Sequence, residues 1–222
     1  GASAPYTGGN IWTNYAELGG VTGVDDDGNG FIDDYRGWDF VNAVTGAVGE
    51  DLNTPDNDPT DYVGHGTFCA GMASARTDNG VGIAGTAFKS KIMALRVGWD
   101  DGSPAGGVVE LAWCAQAISY AAAKGAKVIN CSWANSSLAA LQSAVTNAIA
   151  KGVTVCVAAG NGNTQNQSTN YLSTRGDCVD VASNDAFDVK STFSNYGSWV
   201  DVSAAGDNVF STYSSHYTPT YG

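Results

Sequence analysis

Residues 124–158 read KGAKVINCSWANSSLAALQSAVTNAIAKGVTVCVA, and their pattern indicates the class of fold most directly. Two apolar runs, 126–132 and 153–158, are rich in β-branched residues, as buried strands are. The segment between them, 137–151, carries apolar residues at helical spacing, namely Leu138, Leu141, Val145 and Ile149. A strand, an amphipathic helix and a second strand in this order predict a parallel pair joined by a crossover helix.

The same alternation extends to both sides of this stretch. Upstream, KIMALRV at 91–97 predicts a strand, and 108–124 predicts a helix that ends at Lys124-Gly125. Further short strands are expected at 37–41, 178–183, 198–203 and 208–213. The chain is therefore expected to form an α/β fold in which a mostly parallel sheet carries helices on both faces. Its 222 residues fit a single domain, 1–222.

The net charge and the cysteine spacing argue against several classes of function. A net charge of −12 with only ten Lys and Arg argues against a nucleic-acid partner and against an anionic membrane surface. No apolar run approaches the length of about 20 residues that spans a membrane. The five cysteines form no CxxC or Cys/His cluster, which argues against a zinc site. We interpret them as buried free thiols, with disulfides as the alternative.

An acidic loop at 25–34, DDDGNGFIDD, is a candidate calcium site. Hard oxygen ligands are available at alternate positions: Asp25, Asp27, Asn29, the backbone carbonyl near Phe31, and Asp33. The spacing matches the first nine positions of an EF-hand loop, but Arg36 stands at the twelfth in place of a bidentate Glu. The alternative is a solvated acidic turn. Because five carboxylates in ten residues repel one another without a cation, we favour Ca²⁺.

The first of the two histidines lies in DYVGHGTFCAG at 61–71. The residues after His65 predict a helix with small residues on one side, so the imidazole stands at a helix start between two glycines. This placement suits a general base, whereas the alternative is a surface loop histidine. A GxGxxG follows at 80–85, but a helix precedes it and a strand follows. This order is the reverse of the dinucleotide-binding arrangement, which disfavours a nucleotide-binding domain.

Two further segments follow predicted parallel strands. Ser132-Trp-Ala134 comes after the strand at 126–132, and Ala158-Ala-Gly-Asn161 comes after the strand at 153–158. Functional groups of open parallel sheets gather at the carboxyl ends of the strands. A histidine and a positioned amide donor are two of the groups that acyl transfer requires, a general base and one donor of an oxyanion hole. The alternative is that Asn161 is an ordinary asparagine in a turn.

In this order and at these spacings, GHGT, SWA and AAGN resemble the subtilisin-like serine proteases. Further matches are DDDGNGFIDD followed by GWDFVN, the passage from GVGIAG to KIMALRV, and FSNYGSWVDVSAAGDNVFST at 193–212. The resemblance covers nearly the whole chain. It implies a secreted, calcium-dependent endopeptidase that acts on polypeptides.

The resemblance also implies individual roles. His65 matches the triad histidine, and Asn161 matches the asparagine of the oxyanion hole. Ser132, Trp133 and Ala134 match the segment that pairs with an extended peptide substrate. Gly160 borders the pocket for the side chain before the scissile bond. Four residues of the acidic loop match a calcium-binding insert of some members: Asp25, Asp27, Asn29 and Asp33.

The sequence departs from the family pattern in the other two triad motifs. Neither an Asp-Thr-Gly or Asp-Ser-Gly turn ahead of His65 nor a Gly-Thr-Ser-x-Ala motif occurs, and Phe68 replaces the second histidine of GHGTH. Asp39 or Asp61 as the acid, and Ser194, Ser214 or Ser215 as the nucleophile, are disfavoured substitutes. We therefore expect a fold incomplete at both ends and a chain that is inactive or weakly active alone.

Two interpretations follow from this departure. Either the chain is a segment of a secreted serine endopeptidase, or it is a non-catalytic homologue that binds calcium and extended peptides. In both cases the strands that lack a neighbour are expected to favour self-association through unpaired edges.

Overall fold

The computed structural model describes residues 10–46, 49–102 and 107–212. Its helices are α1 (Tyr15–Leu18), α2 (His65–Ser74), α3 (Leu111–Ala123) and α4 (Ala139–Ala150), with 3₁₀ turns at Gln167–Thr169 and Tyr171–Thr174. Its strands are β1 (Gly37–Asp39), β2 (Ala94–Arg96), β3 (Gly98–Trp99), β4 (Val108–Val109), β5 (Val128–Cys131), β6 (Thr154–Ala158), β7 (Val179–Asn184) and β8 (Val202–Ala205). Over these ranges, no helix combines the length and apolar character that crossing a bilayer requires.

The described residues cluster into two compact units. The first comprises residues 10–113 together with 210–212, and the second comprises 114–209. The predicted single domain, 1–222, stays a prediction.

The second unit is built on a parallel sheet. Its strands lie in the order β5-β6-β7-β8, and every neighbouring pair is parallel. Helix α4 packs against β6, and Leu141, Val145 and Ala148 on its inner face are fully buried. Full burial of one Leu or Val side chain contributes about 1.5–3 kcal/mol. The predicted α/β fold with parallel strands is confirmed.

The edge strands of this sheet are open to solvent in the described part of the chain. Val128 on β5 is 60% exposed and Val202 on β8 is 49% exposed. Unpaired edges of this kind can template pairing with another chain. Self-association through them stays a prediction.

The first unit contains two short sheets. β1 pairs with β2 in parallel, and β3 pairs with β4 in antiparallel. The prediction of one strand over 91–97 is therefore too long. The prediction that the next helix begins at 108 is also wrong, because Val108 and Val109 pair with Gly98 and Trp99 and the helix begins at Leu111. Pairing with a distant strand overrides the local helical pattern there.

Two strand predictions near the end of the chain need correction. The strand expected at 198–203 lies at Val202–Ala205, where it pairs with β7. No strand forms over 208–212, and residue 213 lies outside the described residues. A strand needs a partner, and the described chain offers none to this segment.

All five cysteines are free thiols. Cys114, Cys131 and Cys178 are buried as predicted, whereas Cys69 and Cys156 are half-buried. Burial raises the pKa of the Cys178 thiol to about 11 and raises the pKa of Cys131 as well. These two thiols pack as small apolar side chains and stay protonated near neutral pH.

A buried charge cluster anchors β2 in the first unit. The Arg96 guanidinium donates to the Asp39 carboxylate, to the Asp51 carbonyl at 2.6 Å and to Glu50 Oε1 at 2.6 Å. The ring of Tyr62 stacks on it, with the centroid 4.9 Å from the guanidinium carbon. The side chains of Arg96, Asp39 and Glu50 are at most 5% exposed. The cluster therefore ties three separate segments together in an environment that excludes water.

Asp180 on β7 makes the second unit sensitive to pH. The residue is 2% exposed, and burial, with a contribution from the charge of Asp201, raises the pKa of its carboxyl to about 6. The folded state then binds this proton more tightly than the unfolded state does. The contribution of the protonated Asp180 carboxyl to the free energy of unfolding is complete below about pH 4, and it is lost as the pH rises through about 6. A pKa raised from 3.8 to about 6 corresponds to about 3 kcal/mol.

We expect Asp180→Asn to raise the melting temperature more at pH 7.5 than at pH 4.5, because the amide never ionises. Thermal melts of wild type and variant at both pH values measure this difference. Asp188→Asn changes an exposed carboxyl of the same unit and is the matched control. Equal melting shifts for Asp180→Asn at the two pH values would contradict the raised pKa.

Candidate functional site

His65 is the first residue of α2, and its side chain is exposed. Gly64 precedes it at the N-cap with φ of 92°, a left-handed conformation that glycine adopts without steric cost. The turn at Gly64 thus brings the chain into the helix directly at His65. The sequence prediction of a histidine at a helix start is confirmed.

A carboxylate caps this helix start. Asp61 Oδ1 accepts hydrogen bonds from the backbone N–H groups of Val63 (3.0 Å) and Gly64 (2.7 Å). Asp61 Oδ2 accepts from the backbone N–H and the hydroxyl of Thr67, both at 2.7 Å. These bonds satisfy N–H groups that a helix leaves without partners and place a negative charge at the positive end of its dipole. Asp61 therefore holds the backbone on both sides of His65.

The imidazole of His65 has one close side-chain neighbour. Cys69 Sγ lies 4.0 Å from Nδ1, one helical turn away. This contact with Cys69, together with the charge of Asp61, raises the pKa of His65. No carboxylate hydrogen-bonds to the imidazole within the described ranges. The oxygens of Asp61 accept from backbone N–H groups and from the Thr67 hydroxyl, and Asp39 is buried against Arg96.

The chain at 211–212 also contacts α2. Ser211 Oγ donates to the Phe68 carbonyl at 2.5 Å, and Thr212 Oγ1 donates to the Thr67 carbonyl at 2.7 Å. A Cβ added at Gly71 would lie 2.1 Å from Thr212 Oγ1, so only glycine allows this approach. The small residues on one side of this helix thus allow a neighbouring segment to pack closely against it.

Asn161 follows β6 in the second unit. Its side chain is exposed, and within the described residues its amide has no hydrogen-bond partner. The turn before it passes through Gly160 at φ of 101°. Asn195 and Asn170 bind the backbone on both sides of this turn. A free amide on a tightly held backbone is the arrangement that an electrostatic donor requires.

Ser132, Trp133 and Ala134 follow the carboxyl end of β5. Because Cys131 pairs with Val157, this segment leaves the sheet beside the one that carries Gly160 and Asn161. Asn135 fixes its far end, since its Oδ1 accepts from the Leu172 N–H at 2.7 Å. The structure thus brings together the two segments that the sequence predicted at neighbouring strand ends.

The acidic loop of the first unit forms a carboxylate cluster that includes an unpredicted member. Ligand oxygens of Glu17, Asp25 and Asp27 all lie within 4.8 Å of one another. Glu17 belongs to α1 and is 1% exposed, and its two oxygens accept from the N–H groups of Asp27 (3.0 Å) and Asp33 (2.9 Å). No basic side chain pairs with Glu17 or Asp25 among the described ion pairs. Hard carboxylate oxygens are the donor set that a divalent cation prefers.

The other predicted ligands are engaged differently. Asn29 Oδ1 accepts from the Phe31 N–H at 2.6 Å. The carboxylate of Asp33 accepts from the Tyr35 hydroxyl at 2.6 Å and from the Gly23 N–H at 2.7 Å. The ring of Phe31 packs on Trp38 of β1. These bonds shape the loop, whereas the carboxylate cluster lies on Glu17, Asp25 and Asp27.

The sequence did not predict Glu17 as a member of the carboxylate cluster, nor Asn195 as a residue that binds the loop of Asn161. Glu17 is the only carboxylate in residues 1–20, which was the one available signal. Of the substitute nucleophiles, Ser194 is 1% exposed and its hydroxyl lies between the Ser183 N–H and the Asn195 carbonyl. Ser214 and Ser215 lie outside the described residues.

Comparison with known proteins identifies the class to which this α/β chain belongs. The profile of the subtilase family (Peptidase S8) matches residues 20–222. Thermitase of Thermoactinomyces vulgaris is 44% identical over 178 residues, which are 80% of the chain and 57% of thermitase. The thermophilic serine proteinase of Bacillus sp. (strain AK1) is 39% identical over 178 residues, covering 80% of the chain and 40% of that protein.

Solved structures agree with this class. The chain matches a protease from Pseudoalteromonas arctica PAMC 21717 with a TM-score of 0.66 and 29% identity, over 77% of this chain and 56% of that one. It matches a cold-adapted subtilisin-like serine proteinase with a TM-score of 0.59 and 29% identity, over 75% and 55%. The chain belongs to the subtilase family of subtilisin-like serine proteases. It spans 57% of thermitase and 40% of the Bacillus proteinase.

Proposed function

We propose that this chain contributes the histidine and the oxyanion donor of a subtilisin-like serine endopeptidase that hydrolyses peptide bonds in polypeptides. The observation that carries the proposal is the exposed, unpartnered amide of Asn161 on a held turn after a parallel strand. Family membership supports the reaction class. We further propose that residues 1–222 are part of one peptidase domain.

His65 would act as the general base. A neutral imidazole accepts the proton of a nucleophilic hydroxyl as that hydroxyl attacks the scissile carbonyl, and then donates it to the leaving amine. The helix start supports this role, because Asp61 holds the backbone around His65 while leaving its side chain exposed. The nucleophile and the triad acid are not assigned to residues of this chain.

Asn161 would stabilise the negative charge that develops on the carbonyl oxygen. Its Nδ2 donates only when charge accumulates there, so it stabilises the transition state more than the bound substrate. Ser132, Trp133 and Ala134 would pair with the extended substrate backbone, and Gly160 would border the side-chain pocket. The neighbouring position of the two segments at the ends of β5 and β6 supports this assignment.

The test of this function uses a fluorophosphonate probe and a fluorogenic peptide. We expect the 222-residue chain alone to remain unlabelled and to hydrolyse the peptide weakly or not at all. A form that also contains the family's Asp and Ser motifs should be labelled and active. Labelling of a serine in the 222-residue chain would contradict the expected weak activity. An unlabelled, inactive form with both motifs, which nevertheless binds peptide, would favour the non-catalytic alternative.

We propose that Ca²⁺ binds at Glu17, Asp25 and Asp27. When bound, the ion would neutralise three converging carboxylates and cross-link α1 to the acidic loop. Its contribution would be structural. Calcium dependence and an exposed acidic surface accord with a secreted protein, and we propose an extracellular location.

Removal of calcium should destabilise the chain. At free Ca²⁺ of 100 to 1,000 times the dissociation constant, binding stabilises the native state by about 2.7–4.1 kcal/mol. We therefore expect a chelator to lower the melting temperature by about 5–15 °C. Thermal melts with and without chelator measure this shift.

Glu17→Gln should abolish most of the calcium-dependent part of the melting shift. Glu110→Gln, the same change at an exposed position, should retain it. The readout is the difference between melts with and without calcium, since Glu17→Gln also weakens two loop hydrogen bonds. A melting temperature that does not change when chelator is added would exclude a calcium site here.

A further inference from the structure

We propose that Asn195 is a positioning residue that holds Asn161 in the geometry required for oxyanion stabilisation. This inference rests on the proposed function of Asn161. Asn195 lies 34 positions further along the chain and is 1% exposed. Its contacts lie on the loop at 159–164, which carries Asn161 at its centre.

The side-chain amide of Asn195 binds the loop on both sides of Asn161. Its Oδ1 accepts hydrogen bonds from the backbone N–H groups of Gly162 (2.9 Å) and Thr164 (3.1 Å), which follow Asn161. Its Nδ2 donates to the carbonyl of Ala159 (2.8 Å), which precedes Asn161. One planar amide thus fixes the spacing between the two arms of the turn.

The backbone of Asn195 adds a further bond. Its N–H donates to the Gly160 carbonyl at 2.8 Å. A Cβ added at Gly160 would lie 2.6 Å from Asn195 Nδ2, so the absence of a side chain there permits the contact. Thr169 Oγ1 accepts from the same Nδ2 at 3.2 Å and orients the amide. Both acceptor positions and both donor N–H groups of the Asn195 side chain are therefore matched by the loop or by Thr169.

The neighbours of Asn195 hold the same loop from the same side. Phe193 accepts from the Asn163 N–H at 2.8 Å, and Tyr196 donates its N–H to the Thr164 carbonyl at 3.1 Å. The Lys190 ammonium donates to Asn163 Oδ1 at 2.9 Å. The segment 190–196 is thus a strap along the loop, and Asn195 is its buried centre.

The hydrogen bonds of Asn195 hold the backbone of the loop but do not engage the side chain of Asn161. The backbone groups at 159, 160, 162 and 164 are bound to Asn195, whereas the side chain of Asn161 has no partner within the described residues. A preorganised donor needs a fixed backbone and a free polar group. Misplacement of a catalytic group by about 1 Å can cost about 100-fold in rate.

The structural arm of the test uses hydrogen exchange of the 222-residue chain. Asn195→Ala should accelerate exchange at the Gly162 and Thr164 amides at least about tenfold more than Val145→Ala does. Val145 is a fully buried residue of α4 outside the loop and the strap, so its variant controls for lost stability. Should Asn195→Ala fail to fold, Asn195→Asp keeps the shape and the acceptor oxygen but loses the donor to Ala159. It should then accelerate exchange in the same loop, and unchanged exchange in whichever variant folds would overturn the proposal.

The kinetic arm uses an active form of the protein that carries these residues. Asn161→Ala should lower kcat about 10²–10³-fold, the known cost of removing one oxyanion donor in a subtilisin. Asn195→Ala should lower kcat about 10–100-fold and leave KM within about threefold, because the donor acts in the transition state. The double variant should be no more than about threefold slower than Asn161→Ala alone, since Asn195 acts through Asn161.

The outcomes separate the two proposals. Multiplying effects in the double variant, or an unchanged kcat in Asn195→Ala, would overturn the positioning role while leaving Asn161 as the donor. An unchanged kcat in Asn161→Ala would overturn the proposed function and this inference with it. Val145→Ala should leave kcat unchanged in the same assay.

Discussion

Replacement of His65 by alanine should reduce kcat by about 10⁶-fold in an active form of the protein, the loss known for the triad histidine of a subtilisin. This corresponds to about 8 kcal/mol of transition-state stabilisation. The physical reason is that a serine hydroxyl is a poor nucleophile at neutral pH unless a base removes its proton during attack. The placement of His65 at the start of α2, capped by Asp61, supports the prediction. Steady-state hydrolysis of a fluorogenic peptide measures it.

A matched control for this experiment is His216→Ala. His216 is the second of the two histidines and lies outside the described residues. It should keep full kcat, and a loss of activity in both variants would indicate a general effect of removing imidazole. The pH profile adds a second readout. The ordinary pKa of a histidine is about 6.5. Because the pKa of His65 is raised above this value, the acidic limb of the kcat/KM profile should also lie above it.

Replacement of Arg96 by alanine should destabilise the chain by about 3–5 kcal/mol. The guanidinium pairs with Asp39 and Glu50, and all three side chains are at most 5% exposed. Removal of the cation would leave two carboxylates in a low-dielectric environment without a counter-charge. Loss of the stacking on Tyr62 adds to the cost. Urea denaturation monitored by tryptophan fluorescence measures the change in the free energy of unfolding.

Arg36→Ala is the matched control for Arg96→Ala. Arg36 forms a surface ion pair with Asp58 at 3.0 Å, and the two side chains are 35% and 54% exposed. Solvent screening limits such pairs to about 0–1 kcal/mol. We therefore expect a difference of at least about 2 kcal/mol between the two variants. Equal destabilisation would show that burial of the Arg96 cluster does not decide its energetic role.

Much of the fold could be predicted because its signals are local. The β5–α4–β6 unit follows from apolar residues at spacings of two and 3.6, and its boundaries differ from the prediction by at most two residues. The helix start at His65 follows in the same way from GHGT. The prediction failed at Val108–Val109, whose apolar pair continues a helical stripe in the sequence but joins β3 in the structure. Strand pairing depends on a partner that no local window contains.

The candidate site could be predicted only in part, because convergence is not a local property. The sequence singled out Asp25 and Asp27, but the third carboxylate of the cluster is Glu17 on α1, eight residues before Asp25. In the sequence, Arg96 is one residue of an apolar strand, and its pairing with two carboxylates becomes visible only in the structure. In the sequence, Asn195 is indistinguishable from an ordinary loop asparagine. In the structure, its side-chain amide hydrogen-bonds to residues more than 30 positions away.

Local sequence patterns are sufficient to predict the α/β class, the parallel order of β5 and β6, and the two segments, GHGT and AAGN, that mark a subtilase. These features depend on periodicity, turn residues and short motifs, which act over one or two turns of chain. Three other features become visible only in the folded chain: Glu17 completes the acidic cluster, Asp61 caps the helix of His65, and Asn195 holds the turn of Asn161. The physical reason is that a hydrogen bond or a ligand cluster depends on positions in space to within about 1 Å. Such positions result from the packing of distant segments, and no spacing along the chain encodes them.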